Sequence, residues 1–122
     1  MKSRKLIEMI FNSKQSFNVF PFRVFYLLIN DSAIPLQAGF GVSIKNFKKA
    51  VDRNRIKRLA KESYRLLKNE LKELLVEKKK YLVIFFIYSG KELPDYVLVS
   101  EKMKIALQRL INQVNEKPSS NT

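Results

Sequence analysis

The chain has no cysteine and no histidine. Disulfides, thiolate metal sites, cysteine or histidine nucleophiles and histidine general bases are therefore excluded. Acid is scarce as well: 11 Asp and Glu stand against 24 Lys and Arg, giving a net charge of +13 and a pI near 10.1. Asp31, Asp52 and Asp95 are scattered, with no carboxylate cluster suited to metal-assisted hydrolysis. The longest apolar run, residues 81–88 (YLVIFFIY), is too short to span a bilayer and has the length of a buried strand. The start, MKSRKLIEMIF, is basic and then apolar, but Glu8 interrupts it and no small-residue cleavage site follows. It reads as a first helix, and a cytoplasmic location is expected.

What is present suits one small folded domain. A length of 122 residues leaves room for a single core, and 46% hydrophobic with 11% aromatic residues argues against disorder despite the charge. The domain is expected over residues 1–116, followed by a flexible tail at 117–122. Leu6, Ile7, Ile10 and Phe11 lie at helical spacing and predict a short amphipathic helix over residues 3–12. Residues 17–29 (FNVFPFRVFYLLI) are aromatic and β-branched and predict a strand, with Pro21 at a bulge or edge and a turn at Asn30-Asp31-Ser32. Residues 36–44 (LQAGFGVSI) predict a second strand, antiparallel to the first. A long helix is expected from about Phe47 through Leu75, with Asn46 as its N-cap. The strand at residues 81–88, apolar at every position, belongs in the middle of the sheet. Ser100 is placed as the cap of a last helix burying Met103, Ala106, Leu107, Leu110 and Val114.

This order gives an α+β domain, a two-layer sandwich of helices on a mixed central sheet. The strand at 36–44 should lie parallel to that at 81–88, with the long helix as their crossover. General handedness rules make such a crossover right-handed.

The long helix carries the charge. Residues 45–68 (KNFKKAVDRNRIKRLAKESYRLLK) hold ten Lys and Arg against Asp52 and Glu62, a local charge of +8. Ile56, Leu59, Ala60, Leu67, Leu71 and Leu74 form one apolar stripe, while Arg55, Lys57, Arg58, Lys61 and Arg65 fan around the remaining surface and Arg53 lies at the stripe's edge. A charge run is ordinarily a solvated face, but two acids cannot pair ten bases. Such a surface binds polyanions with release of counterions, and arginine forks hold phosphate oxygens bidentately. RNA fits better than DNA, because no helix-turn-helix, zinc finger or zipper is visible.

Residues 42–65, VSIKNFKKAVDRNRIKRLAKESYR, closely resemble the signature of the bacterial ribonuclease P protein component: Arg53-Asn54-Arg55, then Ile56, then the basic pair Lys57-Arg58. A weaker likeness extends over nearly the whole chain. The resemblance implies the small subunit of a ribonucleoprotein endonuclease that removes the 5′ leader from precursor tRNA, with the chemistry in an RNA subunit that uses Mg²⁺. It implies no catalytic residue and no metal or cofactor held by protein side chains. Its RNA contact maps to Lys45, Lys48, Lys49, Arg53, Asn54, Arg55, Lys57, Arg58, Lys61 and Arg65. It also implies an unusual left-handed crossover at this helix, as in the second domain of ribosomal protein S5, and this replaces the right-handed expectation.

In the family, a cleft between the first helix and the sheet receives the single-stranded leader, where aromatic rings stack on unpaired bases without demanding a sequence. Phe11 and Phe25 match family aromatics there, with Phe22 and Tyr26 as further candidates on the opposite strand face. By default all four are core aromatics. The chain departs from the family pattern at Ile44-Lys45, where two basic residues are common, at Tyr88 or Ser89, where an arginine is common, and at Ile7, where a second cleft aromatic is common. The expected partners are the catalytic RNA and precursor tRNA, with no membrane, and the free protein is expected to be monomeric. A generic ribosomal or RNA-chaperone protein is the alternative. A membrane-surface role is disfavoured because Ile56, Leu59 and Leu67 are needed to cover the sheet.

Overall fold

A computed structural model describes residue 8 and residues 15–29 and 34–116 of the chain. Within residues 15–29 and 34–116 four strands and three helices follow in the order β1 (Ser16–Val19), β2 (Phe22–Ile29), β3 (Leu36–Val42), α1 (Ala50–Leu67), α2 (Asn69–Lys78), β4 (Tyr81–Tyr88) and α3 (Tyr96–Glu116). Of the expected first helix only Glu8 is described, and it is helical and exposed; the turn at residues 30–32 and the tail lie outside the described residues.

The sheet has the order β1-β2-β4-β3, with β1–β2 and β2–β4 antiparallel and β3–β4 parallel. The α+β expectation and the parallel β3–β4 pair hold. Two details of the sheet do not. β2 and β3 are not partners, because β4 lies between them; the strand that is apolar on both faces takes the position with a neighbour on each side. Residues 17–29 are not one strand either: they fold back at Phe20-Pro21, joined by a cis peptide, so that Val19 pairs with Phe22. Proline cannot donate to a ladder, and it falls in the turn.

Alternation assigns the faces. Phe22, Val24 and Tyr26 of β2, with Leu82, Ile84, Phe86 and Tyr88 of β4, are buried beneath the helices. Arg23, Phe25, Leu27 and Ile29 point the other way, in register with Ile87, Phe85, Val83 and Tyr81. On β3, Phe40 faces the helices and stacks on Phe86, at 5.4 Å between centroids and an interplanar angle of 11°. Tyr64 of α1 meets both rings edge-on, at 5.6 and 5.9 Å. This three-ring contact fixes the rotation of α1 on the sheet. Burial lifts the Tyr64 phenol well above its ordinary range.

α1 starts later than expected. Its N-cap position is Lys49, without a side-chain cap, and Asn46 instead donates from Nδ2 to the carbonyls of Ser89 and Gly90, both at 3.2 Å. The apolar stripe runs on through α2, with Leu71 and Leu75 fully buried. The helix is interrupted at Lys68, where the neighbouring Asn69 is a poor interior residue. Helical bonds still continue across the break, from Lys68 N–H to Tyr64 O and from Lys72 N–H to Lys68 O, both 2.9 Å. Lys79, in the left-handed region at φ 56°, ends α2; the N–H of Lys80 bonds back to Leu75 O at 2.9 Å.

α3 also begins upstream of its expected start. Asp95, not Ser100, caps it: Oδ1 accepts from the N–H of Leu98 at 2.9 Å. Its buried face carries Met103, Ala106, Leu107, Leu110 and Val114 as expected, together with Val99 and Ile111. α3 packs against α1, and Arg109 reaches β1, with its Nη1 on Asn18 O at 3.2 Å and its guanidinium 4.5 Å from the Phe17 ring centre.

Candidate nucleic-acid interface

The signature residues share one surface. With Ile56, Ala60, Ser63 and Tyr64 buried, a rotation of about 100° per residue turns Asn54, Arg58, Lys61 and Arg65 outward. These side chains, with Lys57 and Glu62, border an open depression of about 460 Å³. Arg55 is exposed on one flank of the helix, and Lys45, Lys48 and Lys49 are exposed in the loop that leads into it. Among the described residues, the cations of α1 find one carboxylate partner, Glu62, whose Oε2 accepts from Arg65 Nη2 at 2.7 Å. The pair is largely exposed and contributes little.

Arg53 differs from its neighbours. Half-buried, it donates from Nη1 to the carbonyls of Phe47 and Lys48, each at 2.8 Å. Its guanidinium thereby closes the loop that presents Lys45, Lys48 and Lys49, and Phe47 is anchored in turn against Tyr88, at 6.0 Å between rings. Charge-assisted bonds of this kind are worth about 2 kcal/mol. Arg53→Ala is therefore expected to lower unfolding stability by roughly that amount in urea melts, with Arg53→Lys recovering part of the loss.

Beside α1, a second depression of about 500 Å³ crosses β3, lined by Phe40, Tyr64, Lys57, Lys61, Arg65 and Lys68. Lys68 lies over the Tyr64 ring, 5.8 Å from its centre. It extends the basic surface past the signature, and its place on the flank shared with Lys57 and Lys61 follows from helical spacing.

The four cleft candidates separate. Phe11 lies outside the described residues. Phe22, 2% exposed and edge-on to Tyr88 and Phe86, and Tyr26, 7% exposed against Phe17, are core residues beneath the helices. They are not cleft residues, because the even positions of β2 face α1 and α3. Phe25 is half-buried on the opposite face, directly across from Phe85, with the Arg23 guanidinium 5.4 Å from its ring centre. Arg23 and Phe85 were not anticipated from sequence. The continuous apolar run of β4 hides which residues share a face, and register is what pairs Phe85 with Phe25.

The chain is similar throughout to proteins already known. A ribonuclease P family profile matches residues 1–111. The ribonuclease P protein component of Porphyromonas gingivalis W83 is 37% identical over 118 residues, which is 96% of this chain and 84% of that protein, and the same holds for a second strain. The structure of the Staphylococcus aureus RNase P protein superposes with a TM-score of 0.69 at 20% identity, covering 90% of this chain and 93% of that one. A mutant of that protein superposes at 0.64, covering 90% and 86%. Among the described residues no helix is long and apolar enough to cross a membrane. With the Arg53-Asn54-Arg55 helix laid across a β1-β2-β4-β3 sheet and a family match over most of its length, the chain belongs to the ribonuclease P protein family.

Proposed function

We propose that this protein is the subunit that lets a catalytic RNA bind and process precursor tRNA at cellular Mg²⁺, by docking α1 on that RNA and offering the Phe25 face of the sheet to the 5′ leader. One observation carries the reading: a band of exposed cations on α1 and its leading loop has a single carboxylate partner among the described residues. Phosphates are the complementary ligands, and arginines supply planar donors for them.

In this reading the RNA performs the hydrolysis. The divalent ions are assigned to the RNA, as the family resemblance implies, and no protein step is routed through them. The protein reduces the repulsion between two polyanions and holds the unpaired leader by stacking. The free chain, at +13, repels copies of itself and stays monomeric in the cytoplasm.

The test is reconstitution. The purified protein is mixed with the RNase P RNA of the same genome and a precursor tRNA at physiological Mg²⁺, and cleavage is followed with and without protein. A protein-dependent gain in kcat/KM is expected. Equal cleavage in both arms, or equal affinity for unrelated structured RNAs, would point instead to a general RNA-binding protein.

A further inference from the structure

Three of the cations assigned to RNA docking stand on a loop rather than on a helix. Residues 43–49 (SIKNFKK), between β3 and α1, carry Lys45, Lys48 and Lys49, all exposed, and no side chain caps the helix at Lys49. A charge at the end of a long side chain keeps its place only when the backbone beneath it is fixed, because ordering a free segment costs conformational entropy. What fixes this loop therefore bears on how tightly its cations bind.

The loop is fastened on both sides. Toward the helix, the Arg53 guanidinium takes the carbonyls of Phe47 and Lys48. Toward the sheet, Phe47 is buried against Tyr88, and its N–H bonds back to Ser43 O at 3.1 Å. A single buried anchor fixes a position but leaves the loop free to pivot. Asn46, between Lys45 and Phe47, supplies the second point: its Nδ2 donates to Ser89 O and Gly90 O, both at 3.2 Å. The amide suits this place, since its NH2 has two hydrogens for two acceptors and brings no charge among the lysines.

The acceptors are themselves held. The Ser89 N–H and Oγ both donate to Pro21 O, at 2.7 and 3.1 Å, and the Tyr88 hydroxyl donates to Glu92 O at 2.8 Å. A Cβ at Gly90 would fall 2.8 Å from the Tyr88 hydroxyl and 3.0 Å from the Pro21 ring, so glycine is what allows this close approach. The core does not need Asn46 in the same degree. Its bond to Ser89 is exposed, and water can replace such a bond at little cost to the fold.

We infer that Asn46 is a positioning residue for the RNA interface: by pinning the loop to the segment after β4, it holds Lys45, Lys48 and Lys49 in one arrangement before the RNA arrives. The inference rests on the proposed docking of α1 and its leading loop, and it adds an uncharged residue to that interface. Preorganisation of this kind raises affinity by removing an ordering cost from the binding step.

The experiment uses the RNase P RNA of the same genome alone, without precursor tRNA. Each protein is counted by stoichiometric titration, so that unfolded molecules drop out. Asn46→Ala is expected to bind about tenfold more weakly at low salt, with little change in thermal melting. The loss should fade as salt is raised, because what is misplaced is charge. Asn46→Gln, which keeps the two-donor amide on one further methylene, should recover part of it. A double-mutant cycle decides the role. With Lys45, Lys48 and Lys49 all changed to alanine, Asn46→Ala should cost nothing further, whereas in an Arg58→Ala background it should cost the full loss. The same cycle is run with Asn46→Ser, whose hydroxyl is too short to span both carbonyls, so that a folding failure of one variant leaves the test intact. An equal loss in both backgrounds, a loss that persists at high salt, or no loss at all overturns the inference. If the three-lysine variant weakens and Asn46→Ala does not, the positioning role alone fails. If the three-lysine variant binds as wild type does, the loop is not at the interface and the docking reading fails there with it.

Discussion

Replacing Arg55 and Arg58 together by alanine is expected to weaken binding to the RNase P RNA by roughly 100-fold at low salt. Both side chains are exposed, one on the flank of α1 and one on its outward face, and neither has a carboxylate partner among the described residues. Neither holds up the fold, so thermal melting should be nearly unchanged, in contrast to Arg53→Ala. The diagnostic is the salt dependence. Each phosphate contact contributes a slope near 0.9 in log affinity against log salt, so the double variant should show a slope shallower by about two and converge on wild type as salt is raised. Filter binding or fluorescence anisotropy across a salt series reads both quantities. A parallel pair of salt curves would mean that these arginines do not neutralise phosphates, and equal affinities at low salt would remove α1 from the interface.

Phe25→Ala is expected to cost about tenfold in affinity for a leader-bearing precursor and nothing for the matured tRNA. The contrast matters more than the size. Phe25 is half-buried and faces Phe85, so its truncation also lowers stability. A purely packing role predicts that both RNAs weaken together as folded protein is lost. A stacking role predicts that only the RNA with unpaired bases responds, and that Phe25→Tyr behaves as wild type. Arg23→Ala offers an independent check, because its guanidinium is exposed over the Phe25 ring and can be removed without opening the core.

Much of this fold was legible in the residues. The stripe at Ile56, Ala60 and Leu71 gave the direction of the basic helix, and the Met103, Ala106, Leu107, Leu110 and Val114 face of α3 was read correctly because helical periodicity is a local property. Strand pairing is non-local, and here the reading failed: nothing within residues 17–44 announces that β4 will come between β2 and β3. The caps were misplaced for a related reason. Asn46 has the chemistry of a cap, but its amide is engaged by carbonyls more than 40 residues away, and Asp95 caps a helix that begins four residues before Ser100. At the site, the exposed cations were visible as composition and spacing. The division of labour between Arg53 and Arg55 was not, since they differ in whether the side chain finds backbone carbonyls to close upon. Phe22 and Phe25 likewise belong to opposite faces of one strand, a distinction parity suggests and register settles.

Among the described strands β3 forms one border of the sheet, and its outer rim faces Lys57, Lys61, Arg65 and Lys68. A bare strand border is a template on which another chain can crystallise into a fibre. Here any second molecule that approached with its own β3 would bring four more positive groups into a gap narrower than a Debye length, which is about 8 Å at physiological ionic strength. The cations proposed to meet RNA thus also disfavour border-to-border pairing of two copies of this chain.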